Sequence, residues 1–212
     1  MHGVGWPLLA WEVCEARPDG IAARLDWSCA ELLAVFPFRH RLEMLVTLRP
    51  AGLTVETTLV AGSDGAVPVS FGFHPYFGIP GLPRAQWRLT IPAMRRLASD
   101  DRGIPSGRED PTEAFDSQLG ETDFDDGFVV LEERPVFSVT GAGRRISVEF
   151  LAGYRYAQVF APKDKDYVAI EPMTAATNAL ASGHGLTLVE PGERFRAAFA
   201  VTVHSTTEFS VS

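Results

Sequence analysis

Leu42-Glu43-Met44-Leu45-Val46-Thr47-Leu48, then Arg49-Pro50-Ala51-Gly52, then Leu53-Thr54-Val55-Glu56-Thr57-Thr58-Leu59-Val60, is the stretch that decides the fold class. Apolar residues occupy every second place on both sides of a Pro/Gly turn, and β-branched residues recur throughout. That period of two puts one face of each segment toward a core and predicts a β-hairpin. A second hairpin is predicted from Phe137-Ser138-Val139-Thr140 through Gly141-Ala142-Gly143 to Arg144-Arg145-Ile146-Ser147-Val148-Glu149-Phe150. Ile21–Trp27 and Phe195–His204 alternate in the same way. Helical signal is thin: Ser28–Val35 fits one short turn, and Pro37 stops it.

The 19 Gly and 15 Pro are spread along the whole chain instead of gathering in a linker. They punctuate many short strands, the pattern of a large antiparallel sandwich or barrel. No internal repeat or convincing boundary interrupts residues 1–212, so the expectation is an all-β fold in one domain. Ser99–Thr122, rich in Asp, Glu, Pro and Gly, reads as a long surface loop.

Composition narrows the function. With 46% hydrophobic residues the 212-residue chain can bury a full core. No apolar run approaches the ~18 residues of a membrane-spanning helix, and no secretory signal is visible at Met1-His2-Gly3-Val4. The formal net charge of −8 speaks against a nucleic-acid partner, which needs a basic face. Of the 19 basic residues only Lys163 and Lys165 are lysines. Cys14 and Cys29 show neither CxxC spacing nor a nearby His pair. A reduced, cytoplasmic setting is expected, with one bridge as the alternative.

Three segments look chemical. In Phe71-Gly72-Phe73-His74-Pro75-Tyr76-Phe77-Gly78 a histidine is held extended by the following proline among aromatic rings. In Tyr167-Val168-Ala169-Ile170-Glu171-Pro172-Met173-Thr174 a β-rich run delivers a carboxylate at its end, followed by small and polar residues. In Asp123-Phe124-Asp125-Asp126-Gly127-Phe128 three carboxylates lie within four positions, without EF-hand spacing. On residue type alone, His74 reads as a half-buried structural side chain, Glu171 as an exposed charge and the Asp cluster as a solvated turn. No nucleophile elbow, P-loop, dinucleotide fingerprint or zincin motif is present. One His and one Glu on ordered strand ends suit general acid–base chemistry on a neutral polyol.

Taken together, these segments resemble the aldose 1-epimerase (galactose mutarotase) family. Phe71–Phe77 is similar to its G-x-HPYF element, and Ala169–Ala175 to its EP-x-T segment. His2-Gly3 before Trp11-Glu12 resembles its HG…W-E element, and Leu188–Glu193 its L-x-PGE turn. The four occur in the family's order and span nearly the whole chain.

The resemblance implies the large antiparallel β-supersandwich of the galactose mutarotase type. It implies an isomerase that interconverts the α and β anomers of a free hexose. Glu171 would be the base at the C1 hydroxyl and His74 the acid at the ring oxygen, both with pKa values near the ordinary ~4.3 and ~6.5. His2 would help hold the sugar, as would Asp125, with Asp126 the alternative register. Tyr76 and Phe73 would pack either on the sugar or, the favoured reading, on the core. No metal and no organic cofactor are implied. The partner would be a small sugar, with neither nucleic acid nor membrane.

Family members carry a PNR-type arginine ahead of the HG element. Because the sequence starts at Met1-His2-Gly3, the expectation is either a shortened form without that arginine or one in which another segment or subunit fills the gap. A sheet edge exposed by shortening would pair with a second copy, giving a homodimer. Two other readings stay open here: a non-catalytic carbohydrate-binding or regulatory sandwich, and a sugar-phosphate 1-epimerase. The last would need arginines at the pocket rim.

Overall fold

The computed structural model describes residues 5–206. Alternation becomes strands almost everywhere it was read. In chain order the first are β1 (Glu12–Arg17) and β2 (Gly20–Trp27), then the short helix α1 (Ala30–Val35), then β3 (His40–Arg49) and β4 (Gly52–Ala61). There follow β5 (Val67–Val69), β6 (Tyr76–Phe77), β7 (Arg88–Ile91), β8 (Met94–Ser99), β9 (Pro105–Thr112) and β10 (Phe115–Gln118). Next come β11 (Phe124–Val130), β12 (Val136–Gly141), β13 (Arg144–Ala152), β14 (Tyr156–Ala161) and β15 (Val168–Met173). Helix α2 (Ala179–Ser182), β16 (Thr187–Val189) and β17 (Arg194–Ser205) complete the order.

The long hairpin β3–β4 pairs from His40↔Ala61 to Arg49↔Gly52. At its turn a Cβ on Gly52 would stand 2.1 Å from the Val201 carbonyl of β17, so only glycine fits.

Nine strands form one sheet in the order β1-β2-β3-β4-β17-β13-β12-β7-β10, and six form a second in the order β6-β15-β14-β11-β8-β9. All pairings are antiparallel. The two sheets share one core, with Leu89, Phe137, Val139, Val148 and Phe150 from the larger and Met94, Phe128, Val159, Val168 and Ile170 from the smaller. A second cluster around Trp27, Leu42, Leu59 and Val67 lies under α1. This is the predicted supersandwich: each sheet buries one face against the other and keeps one face for other uses.

Ser99–Thr122 departs from expectation, because it contains β9 and β10. Both are edge strands, where proline is tolerated since one side of the backbone carries no ladder. Their acidic residues find partners: Glu109 sits 3.1 Å from Arg95, and Asp116 2.7 Å from Arg88. Asp125 and Asp126 likewise lie within strand β11 and not in a turn. Both cysteines are free and exposed.

Candidate functional site

The outer face of the six-stranded sheet gathers the residues singled out above. Glu171 does not end its strand; β15 runs on to Met173. Segment 71–77 docks antiparallel along β15, with Gly72 bridged to Met173 and Tyr76 paired with Ala169. That register sets His74 opposite Glu171. Gly72 allows the close approach, since a Cβ there would stand 2.7 Å from the Pro172 carbonyl. Thr174 clamps the segment: its hydroxyl accepts from the Phe71 N–H and donates to the Phe71 carbonyl, both at 2.9 Å. Phe73 N–H donates to the Pro172 carbonyl at 3.1 Å. The EP-x-T spacing therefore has a mechanical meaning: Pro172 and Thr174 hold the histidine segment against the strand that carries Glu171.

Pairing then extends the site across the sheet in two rows. Glu171 faces Gln158, which faces Gly127; Ala169 faces Phe160, which faces Asp125. Successive side chains alternate faces, so His74, Glu171, Gln158 and Gly127 share one side with Tyr76, Ala169, Phe160 and Asp125. At Gly127 the neighbours close in: a Cβ there would stand 3.1 Å from Gln158 Oε1 and 3.5 Å from Leu97.

His74 Nε2 lies 3.0 Å from Glu171 Oε1 and 3.3 Å from the Tyr76 hydroxyl. The Tyr76 ring stacks on the imidazole with centroids 4.5 Å apart. Phe160 meets the imidazole edge-on, and Tyr167 meets Tyr76 at 4.9 Å. On the far side Gln158 Nε2 donates to Asp125 Oδ1 at 2.8 Å.

The electrostatics are lopsided. Burial pushes the Glu171 carboxyl up, with the Asp125 charge adding to it, to about 8. Glu171 therefore departs from the ordinary carboxylate expected of it and holds a proton over a range in which exposed glutamates have lost theirs. Such a carboxyl, in direct contact with an imidazole, can take or give a proton near neutrality.

Asp126 does not join the group. By alternation it points to the opposite side, where Arg96 lies 3.7 Å away and burial raises its carboxyl pKa. It lines a polar cleft of about 330 Å³ with Arg96, Arg108 and Asp110, and the edge of that cleft is shared by Asp125 and Gly127. Tyr76 corrects the core assignment: it is 56% exposed and stands at the site. Phe73 does go inward, 5.2 Å from Phe199. His2 lies outside the described residues. Among the described residues no group of three His, Cys, Asp or Glu side chains is placed to hold a metal ion.

Gln158, Phe160 and Tyr167 were missed. A signal existed in Tyr156-Ala157-Gln158-Val159-Phe160, where an amide interrupts an apolar strand. Only the pairing shows that it faces Glu171. Arg84 was missed as well. It is 4% exposed and donates to the carbonyls of Gly120 (3.0 Å), Thr122 (2.7 Å) and Ala161 (2.6 Å). It thereby ties the approach to β11, and so Asp125, to the end of β14.

Comparison with known proteins gives the family and the fold. The family described as Aldose 1-epimerase matches residues 1–202. The uncharacterized protein YihR of Escherichia coli strain K12 is 24% identical over 208 residues, covering 88% of this chain and 68% of that one. The crystal structure of Slr1438 from Synechocystis sp. PCC 6803 is 29% identical with a TM-score of 0.76, over 94% of this chain and 67% of that one. A galactose mutarotase-like protein of Clostridium acetobutylicum is 19% identical but superposes with a TM-score of 0.80, over 92% of this chain and 66% of that one. The chain thus spans about two thirds of the length of these relatives. A match over residues 1–202, on a fold shared at low identity, makes this chain a member of the aldose 1-epimerase family.

Proposed function

We propose that the chain interconverts the α and β anomers of a free hexose by acid–base ring opening and closure. The observation that carries this is the contact of His74 Nε2 with Glu171 Oε1 at 3.0 Å, on a sheet face that also presents Asp125 and Gln158. In the resting site the two groups face each other. As a sugar enters between them, the proton that burial keeps on Glu171 passes across this contact to His74 Nε2, so a carboxylate turns to the C1 hydroxyl while Nε2–H turns to the ring oxygen. Glu171 removes the hydroxyl proton as His74 protonates the ring oxygen, and the C1–O5 bond breaks. Rotation about C1–C2 presents the other face of the aldehyde. His74 then takes its proton back from the C5 hydroxyl, and Glu171 returns the first proton to the new C1 oxygen.

Both groups are needed at once, because the ring oxygen leaves poorly unless protonated. Each well-placed group contributes about 10²–10⁴-fold. The carboxyl at about 8 is a stronger base than an exposed glutamate would be. Asp125 and Gln158 offer acceptors and a donor to sugar hydroxyls, and Phe160 offers an apolar patch for a ring face.

A neutral sugar fits better than a sugar phosphate. The arginines beside Asp125, Arg96 and Arg108, sit 3.7 Å from Asp126 and 3.2 Å from Asp110, so their charge is already matched. Polarimetry on freshly dissolved α-glucose and α-galactose tests the proposal: the protein should speed the decay of optical rotation well beyond buffer. Measurable sugar binding without acceleration would refute turnover and favour a carbohydrate-binding role. A strong preference for glucose 6-phosphate would favour the phosphate reading.

A further inference from the structure

We propose that the Tyr76 hydroxyl is a second partner of His74 Nε2, one that keeps the imidazole aimed after a sugar has drawn Glu171 away. This makes Tyr76 a positioning residue, and it rests on the ring-opening reading above. Two groups converge on one nitrogen: Glu171 Oε1 at 3.0 Å and Tyr76 Oη at 3.3 Å. A sugar that uses both Glu171 and His74 has to separate them, so Nε2 exchanges its carboxylate contact for the ring oxygen. Tyr76 is stacked against the imidazole at 4.5 Å with 28° between the planes. Nothing in the ring-opening geometry displaces it.

The local sequence holds that ring in place. Tyr76 lies two residues beyond His74 on the same face, and its β15 partner is Ala169, whose methyl leaves room for the phenol. Tyr167 closes on it edge-to-face at 4.9 Å. Among the aromatic residues of segment 71–77 only Tyr76 is left largely in water, 56% exposed. Phe71, Phe73 and Phe77 pack against the main core. Packing alone would not leave a large ring there.

A hydroxyl suits the position because its oxygen can accept a share of Nε2–H beside a second acceptor, as a three-centre bond. It shares that hydrogen with the ring oxygen while the imidazole carries the proton, and leaves the nitrogen's single lone pair to the C5 hydroxyl once the proton has passed. Partial loss of water around the hydroxyl, with the nearby Tyr167 and Glu171, raises the phenol's pKa, so it keeps its own proton throughout.

The decisive variant is Tyr76→Phe, which keeps the stack and removes only the hydroxyl. A single neutral hydrogen bond corresponds to roughly 3–10-fold. The expected result is that loss in kcat at unchanged KM and Tm, with a shifted titration of the His74 ring nitrogens by ¹⁵N NMR. Tyr76→Leu, which removes the stack too, should lose more. A raised KM at unchanged kcat would overturn the inference, because Tyr76 would then be contacting the sugar. So would wild-type kcat together with an unaltered His74 titration. The titration is read without substrate, so it separates the two proposals. If the wild type turns over no aldose, the ring-opening reading fails. An unaltered His74 titration in Tyr76→Phe still sinks the pairing, and a shifted one still upholds it.

Discussion

The outward faces of the two sheets handle charge in opposite ways. On the nine-stranded sheet, carboxylates and guanidinium groups pair from strand to strand, once across an intervening strand. Arg24 lies 2.8 Å from Glu12, Arg41 2.7 Å from Asp26, Arg194 pairs with Glu43, and Arg196 with Glu56. Each pair stands in water, where attraction is screened and the net gain is small. On the six-stranded sheet, Glu171 faces an imidazole, an amide and the like charge of Asp125. Burial there leaves a carboxyl that costs stability when ionised and takes up a proton readily. A face whose charges are matched is inert and soluble; a face whose charges are left unmatched is the one able to do chemistry.

The largest effects should separate the two faces outright. Glu171→Gln and His74→Asn should each lower turnover by about 10²–10⁴-fold while the protein stays folded. Arg196→Ala, on the other sheet, should leave turnover unchanged. Polarimetry beside thermal melts checks all three, and wild-type rates in either site variant would erase the distinction.

Next in size is Arg84→Met. It strips three carbonyls of their donor, and the expected cost is about 3 kcal/mol in chemical denaturation. Because Arg84 anchors the approach to β11, sugar binding should weaken with it.

The pH dependence sharpens the contrast further. Glu171 titrates near 4.5 when unfolded and at about 8 when folded, so across that window the native state holds the extra proton. Its contribution is favourable at low pH and is lost as pH rises through 8, at about 1.4 kcal/mol per pH unit in the single-proton limit. His40, whose pKa burial lowers, opposes this by favouring the native state as pH rises through the ordinary histidine range. The difference between wild-type and Glu171→Gln stability curves therefore isolates Glu171 and should slope downward from pH 5 to 8. Parallel curves would mean that Glu171 is as well solvated as the carboxylates of the other sheet.

A smaller effect is expected of Gly127→Ala. Its methyl would stand 3.1 Å from Gln158 Oε1 and press the amide off Asp125. Turnover should fall several-fold with stability nearly unchanged. Smallest is the stability change in Arg196→Ala: under about 1 kcal/mol, vanishing at 1 M salt, where screening is nearly complete.

Much of this was legible in the chain. Alternation from Leu42 to Val60 and from Phe137 to Phe150 gave the long hairpins, because a strand with one buried face must show period two. The motifs around His74 and Glu171 marked two segments that the fold brings into contact. Three things were not legible. Strand β9 is hidden by the Pro and Gly that an edge strand tolerates, and β10 by being only four residues long. Gln158 and Arg84 act through partners 33 and 36–77 residues away. The choice between Asp125 and Asp126 turns on a single step of register.

The sequence by itself determined the class of fold and which residues could carry chemistry, since periodicity and residue type are local properties. Tertiary structure decided which side of the sheet each one faces, that Glu171 is buried with a like charge nearby, and that Tyr76 stands at the site and not in the core. Those depend on strand order and on what packs over each face, and both arise from contacts between residues far apart in the chain.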